Sequence, residues 1–345
     1  MSPYSGLSLL PRSEIRRISQ ALADTLQTAY GALQSDADAL ALKIAAQIAR
    51  GEVPSEDWLL RQPAYQRLQA QLAGYLDDLG VQVNQLTTDG VPVVVQSAIE
   101  TAKDAALIAS GAAVTGTQIA IESAFDVIPL DELLQLVISD RNPELQTLLA
   151  SFGSDGGTNL QRELVSAVAR GVSPRDLRKT LADILQITHA RALTISRTEI
   201  LRASRNAQLL SYERSGVVTE WVWHTNVTAD SCIACILMHG TVHPFDEPMT
   251  THPNCKCAMV PKTKSWAEIN PTLANLPDTR VEIESGEDAF RKLPEKAQKN
   301  ILTPSVWNLW HNGSASFADL VTPYSHPTYG AFNLPATLRE IRQRV

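Results

Sequence analysis

All four cysteines of the chain fall within 26 positions, as Cys232-x2-Cys235 and Cys255-x-Cys257, with His252 three residues ahead of Cys255. A C-x2-C pair on a turn presents two thiolates to one tetrahedral ion, and a second pair brought back by a hairpin completes the shell. Four thiolates, or three with His252, make a closed structural zinc site. If either thiol of the C-x-C pair points away, the fourth position passes to His252. Two other readings stay open: reduced thiols packed as small hydrophobes, or disulfides formed after release from the cell. Catalytic zinc is the sharper alternative, because His224, His239 and His243 lie nearby. No H-E-x-x-H occurs, and no H-x-E precedes a P-C-x-x-C, so a structural site is expected and no catalytic residue is assigned.

Other chemistry is sparse. No G-x-S-x-G, dinucleotide loop or framed carboxylate pair occurs. Glu199 stands among Arg197, Arg202 and Arg205, and the expectation is that it docks its helix through a nearby Arg rather than acting as a base. With Arg191 and Arg214, that helix is the most basic element of the chain, and it is expected to present a solvated face. Trp221, Trp223, Trp307 and Trp310 are expected to pack in cores rather than stack on bases.

The elements that must position these groups belong to a chain of 345 residues, 44% hydrophobic and 19% charged, with net charge -7. That length implies two or three domains. The negative balance gives no global field toward phosphate or anionic lipid. Residues 1–13 lack the pattern of a secretory signal, so the chain is expected to remain in the cytosol where it is made. Residues 105–121 are apolar but short and interrupted by Ser110, Thr115, Thr117 and Gln118, which predicts a packed helix and no membrane partner.

Helical periodicity predicts helices over residues 12–51, with Ile15, Ile18, Leu22, Leu26, Leu40, Leu42, Ile44 and Ile48 as the apolar set, then over 55–80, 92–125 and 131–151. Thr87-Thr88-Asp89-Gly90 reads as a turn, and Gly153-Ser154-Asp155-Gly156-Gly157 as a domain boundary. Helices are then expected over 159–170, 173–185 and 189–215, the last capped by Gly216. The period changes at residues 217–224, whose β-branched and aromatic alternation predicts a half-buried strand. Further strands are expected around 236–242 and 257–260, and helices around 286–300 and 305–312. The fold class is mainly α with a small α+β domain: a helical N-terminal region at 1–157, a central domain with short strands and a Cys/His knuckle at 158–262, and a helical C-terminal extension at 263–345.

Four segments in order resemble the phage Mu protein F-like head-morphogenesis family, also called minor head or minor capsid proteins. They are Gly171-Val-Ser-Pro-Arg175; His189-Ala-Arg-Ala-Leu-Thr-Ile-Ser-Arg197-Thr198-Glu199 with Arg202, Ala203 and Asn206; Trp223, Asp230, Cys232, Cys235 and Gly240; and His252-Pro253-Asn254-Cys255-Lys256-Cys257. Lys256 stands where the family often has Arg, which keeps charge but loses bidentate hydrogen bonding. The resemblance covers about residues 160–261. Ser285-Gly286-Glu-Asp-Ala-Phe290 and Trp310-His-Asn-Gly-Ser-Ala-Ser-Phe317 are similar to an extension on some relatives. It implies a non-enzymatic minor head protein inside the virion, partnered by portal and by capsid or scaffolding protein, supporting DNA packaging or delivery and in reach of packaged DNA. The rival class is a metal-dependent hydrolase or toxin-like enzyme delivered with the head.

Overall fold

A computed structural model describes residues 3–4, 6–52, 54–113, 115–127, 129–139, 174–326 and 330–345. The chain divides into two compact units, one of residues 13–90 and 141–199, the other of residues 1–12, 91–140 and 200–345. The expected boundary at Gly153-Gly157 and the expected helix over 159–170 lie outside the described residues.

The first unit is helical. It draws on α1 (Arg12–Ala49), α2 (Glu56–Leu60), the first part of α3 (Pro63–Ser110) and, at its other end, α6 (Pro174–Ser215). Ile18, Leu22, Leu33, Leu40 and Ile44 on α1 and Leu68, Leu72, Leu76, Leu79 and Val83 on α3 are buried at intervals of mostly three, four or seven, the stripe that lets helices share a core. Leu42, expected in the stripe, falls two residues from both Leu40 and Ile44, on the opposite side, and is 69% exposed. Polar ties reinforce the packing: Arg67 pairs with Asp36 at 2.7 Å, and Thr25 Oγ1 donates to Gln82 Oε1 at 2.7 Å.

Two expected breaks are continuous helix. Thr87-Thr88-Asp89-Gly90 is not a turn, because the hydroxyls of Thr87 and Thr88 donate back to the carbonyls of Val83 and Asn84, at 2.8 and 2.7 Å. Pro92 stands on the exposed side of α3, and Val91, Val94 and Val95 are buried around it. Burial of the valines outweighs local turn chemistry. Residues 186–188, expected to separate two helices, contain neither Gly nor Pro and sit inside α6.

The second unit adds α4 (Thr115–Asp126), which with the end of α3 replaces the single helix expected over 92–125, and α5 (Leu130–Ser139), where the helix expected over 131–151 begins; residues 140–151 lie outside the described residues. α3 ends at Gly111, whose φ of +64° and contact with the Thr279 backbone suit only a residue without Cβ. No described helix is long and apolar enough to cross a membrane, and Ala105, Ala106 and Ala109 are buried.

After α6, Gly216 (φ +66°) reverses the chain into a three-stranded antiparallel sheet of order β2-β1-β3. Its strands are β1 (Val218–His224), β2 (Val242–His243) and β3 (Ala258–Thr263), with Trp221 opposite His243 and Trp223 opposite Met259. β1 was expected half-buried, yet Trp221 to His224 are all buried. Trp221 and Trp223 face a core shared with Phe125, Tyr212 and Trp266, and Val222 faces Tyr4, Leu9 and Val260 on the other side.

Between β1 and β2 lies α7 (Ile233–Met238), where residues 236–238 were expected to extend a strand. The Ile236 N–H donates to Cys232 O at 3.0 Å, closing a helical turn on the C-x2-C pair. The remaining elements are α8 (Trp266–Ile269), α9 (Gly286–Arg291), α10 (Glu295–His311), a hairpin of β4 (Val321–His326) with β5 (Gly330–Pro335), and α11 (Leu338–Arg344). Gly286 fixes the docking of α9 on α7: a Cβ there would lie 1.6 Å from Ile236 O.

Candidate metal centre

Two short pieces of backbone carry the donors. The first is the opening turn of α7, which starts from Cys232 and places Cys232 and Cys235 three residues apart, on one side. The second is a β-turn at residues 252–255, closed by Cys255 N–H donating to His252 O at 3.2 Å. Pro253 sets its first corner and Asn254 its second, with φ +59°, the chemistry of a type II turn. The turn's ends are His252 and Cys255. Beyond it the chain extends, so that Cys255 and Cys257 are buried while Lys256 between them is exposed. Lys256 thus points away from the thiols.

The donors of Cys232, Cys235 and His252 lie within 4.8 Å of one another, as do those of Cys235, Cys255 and Cys257, so Cys235 belongs to both groups. Cys235 Sγ is 3.1 Å from His252 Nε2 and 3.8 Å from Cys255 Sγ. A tetrahedral ion with metal–sulfur bonds of about 2.3 Å separates two of its thiolates by about 3.8 Å, so this spacing fits zinc. His252 also hydrogen-bonds Cys232 and Cys255, and its Nδ1 donates to Pro253 O at 2.9 Å, which leaves Nε2 free to ligate.

Cys257 differs. The single Thr225 hydroxyl proton goes to Cys235 O at 2.9 Å, so at 3.1 Å the Thr225 oxygen receives the Cys257 thiol. The Cys235 contact pulls the Cys257 thiol down, but the Cys255 hydrogen bond, burial and the Cys255 charge outweigh it and leave it up at about 12. Cys232 is pulled down to about 4, first by the Cys235 hydrogen bond, and His252 is pushed up to about 10 by Cys232 and Cys255. Hydrogen bonds from Cys235 and Cys257 also lower Cys255.

The turn is held from behind by α6. Arg205, 4% exposed, donates through Nη2 to Cys255 O at 2.8 Å and Cys257 O at 2.7 Å, and through Nη1 to Thr251 Oγ1 at 3.1 Å. The basic face expected to be solvated is therefore divided. Arg205 is buried, Arg214 pairs with Glu132 at 2.6 Å, and Arg197 donates to Ser19 Oγ at 3.0 Å, while Arg191 is exposed. Arg202 and Glu199 are half-buried.

None of the three neighbouring histidines joins either donor group among the described residues. His224 packs edge-on between Tyr4 and His239. His239 Nδ1 accepts the Thr225 N–H at 3.1 Å, and His243 stacks on Trp221 at 4.3 Å. In the tail, Trp307 and Trp310 lie in a core with Phe290 and Phe317, so the tryptophans pack as expected. Thr225 and Arg205 were not singled out as supports of the knuckle; neither spacing nor composition marks them.

Residues 158–260 match the family model described as Phage Mu protein F like protein. That segment is Mu F-like. The match contains the whole donor set, the Arg205 clamp and β1, and the family is one of head morphogenesis. The Mu F-like segment bears out the resemblance read from the motifs, and the family is a structural one. No curated protein and no solved structure matches the chain.

Proposed function

We propose that this protein is a minor head protein of a phage virion, carried inside the procapsid beside the portal, where it supports DNA packaging or delivery. The observation that carries the reading is the Mu F-like match over residues 158–260, which ends in the knuckle of four cysteines and His252. The knuckle is a clasp. Zinc would be held by Cys232, Cys235, Cys255 and His252, with Cys257 beside it as a thiol on Thr225. His252 hydrogen-bonds Cys232 and Cys255 and lies 3.1 Å from Cys235 Sγ, and these contacts to the histidine favour Cys255 over Cys257 as the third thiolate. When bound, the ion supplies cross-linking between α7 and the 252–255 turn; the chain's own part is to orient the donors through Pro253, Asn254 and Arg205.

The partners in this reading are portal and capsid or scaffolding protein, and the domains are a helical region at 1–157, the Mu F-like domain at 158–262 and an extension at 263–345. The test is to purify procapsids assembled with and without portal and to measure this chain in each by quantitative mass spectrometry. Its presence in few copies, reduced when portal is omitted, supports the reading. Absence from portal-containing procapsids overturns it.

A further inference from the structure

A cavity of about 410 Å³ lies between β1, α7 and the β4–β5 hairpin. Its size falls within the usual range for ligand pockets, about 300–1,000 Å³, and leaves room for one long side chain with its flanking backbone. Its walls are aromatic: Trp221 and Trp223 from β1 face Tyr324 and Phe332 of the hairpin. Tyr324 and Phe332 meet at 5.4 Å, and Phe332 meets His252 edge-on at 6.4 Å, so the hairpin wall rests against the knuckle.

The polar groups narrow the occupant. Among the described residues, neither Lys nor Arg lines the cavity. A phosphate would meet no counter-charge there, and the net charge of -7 opposes a polyanion. The charge at the rim is the Glu247 carboxylate, 59% exposed and 3.1 Å from His243 Nδ1. Thr250, Ser325 and Asn333 add side-chain oxygens. Aromatic faces, a carboxylate and neutral acceptors suit a cation, and a planar guanidinium uses such a set better than a compact ammonium, because it stacks on rings while its edge donates.

From these features we infer that the cavity is a binding site for an arginine side chain of a partner polypeptide, with the guanidinium among the aromatic rings and Glu247. The inference rests on the cavity and stands apart from the virion assignment.

The probe is the blocked tripeptide acetyl-Gly-Arg-Gly-amide, titrated into the full zinc-loaded chain while the indole N–H resonances are followed by NMR. The Trp223 signal is identified by its loss in W223F. A saturable shift of the Trp223 resonance is expected. Affinity should fall about tenfold or more when citrulline, neutral and of the same shape, replaces arginine, and also in E247Q, since both remove the charge term. Equal affinity for arginine and citrulline would overturn the inference, as would unchanged binding by E247Q, displacement by an oligothymidylate, or no saturable shift at millimolar peptide. Because the citrulline comparison leaves the protein unaltered, misfolding of a variant cannot mimic it.

Discussion

At the residue scale, the five candidate donors are not equivalent. If Cys257 lies beside the ion, Cys257→Ser should retain close to wild-type zinc per chain by elemental analysis, while Cys232→Ser, Cys235→Ser and Cys255→Ser each lose it. Zinc loss from Cys257→Ser as complete as from Cys235→Ser would give Cys257 the fourth position. Arg205 makes a second prediction. Two backbone carbonyls and a hydroxyl depend on its planar fork, and lysine cannot span them. Arg205→Lys should lower stability by about 1–3 kcal/mol in urea denaturation with zinc present. An unchanged midpoint would show that the turn needs no clamp. That the cysteines and His252 come together was legible from spacing alone, because paired thiols on turns are the pattern of tetrahedral ligation. Their ranking was not, since it depends on Thr225, seven residues ahead of Cys232 and unmarked by any motif.

At the scale of elements, strong periodic signals read correctly and local breakers misled. The extents of α1 and β1 and the glycine stop at Gly216 follow from apolar spacing and turn chemistry. The continuity of α3 through Thr87 and Pro92 follows from hydroxyl back-bonding and valine burial, which a linear scan for turn residues does not weigh. The short apolar run 236–238 was ambiguous between strand and helix, as periodicity leaves any run of that length. The β4–β5 hairpin escaped notice because Pro323 and Pro335 demote both segments as strands, and a two-stranded ribbon permits them. The contact of α9 with α7 gives a sharp test. Gly286→Ala drives a methyl carbon into the Ile236 carbonyl, so the elements must separate. The variant should lose several degrees of melting temperature by calorimetry, the range expected for overpacking of about 1–3 kcal/mol. Melting at the wild-type temperature would mean that α9 does not seat as described.

At the scale of the whole molecule, acid should loosen the second unit. Burial, with a contribution from His239, depresses the His224 imidazole to about 4, and burial also lowers His239. Below the unfolded value near 6.5 the unfolded chain takes up protons that the folded chain refuses, so stability falls as pH drops from about 6.5 toward 4. The part due to His224 reaches on the order of 3 kcal/mol at the bottom of that window. His224→Asn should flatten the decline in a series of melts across those pH values; an identical slope would place the sensitivity elsewhere. The α-rich class was legible in composition and period. The division into units was not, because each long helix α3 and α6 supplies residues to both, and a linear sequence shows no seam inside a helix.

The short helix α7 has one side in the core that holds Cys235, Cys255 and Cys257, and Ile233, Ala234 and Ile236 in the core that holds Phe290, Trp307 and Phe317. Two sets of contacts, one with thiols and the other with aromatic bulk, therefore converge on six residues. The tail is not a detachable ornament: a relative that lacks it must recolour those three apolar positions as polar or cover them with another chain. Where proteins that share the Mu F-like segment differ in length, the residues facing outward from this half-dozen should change together with the presence of the tail.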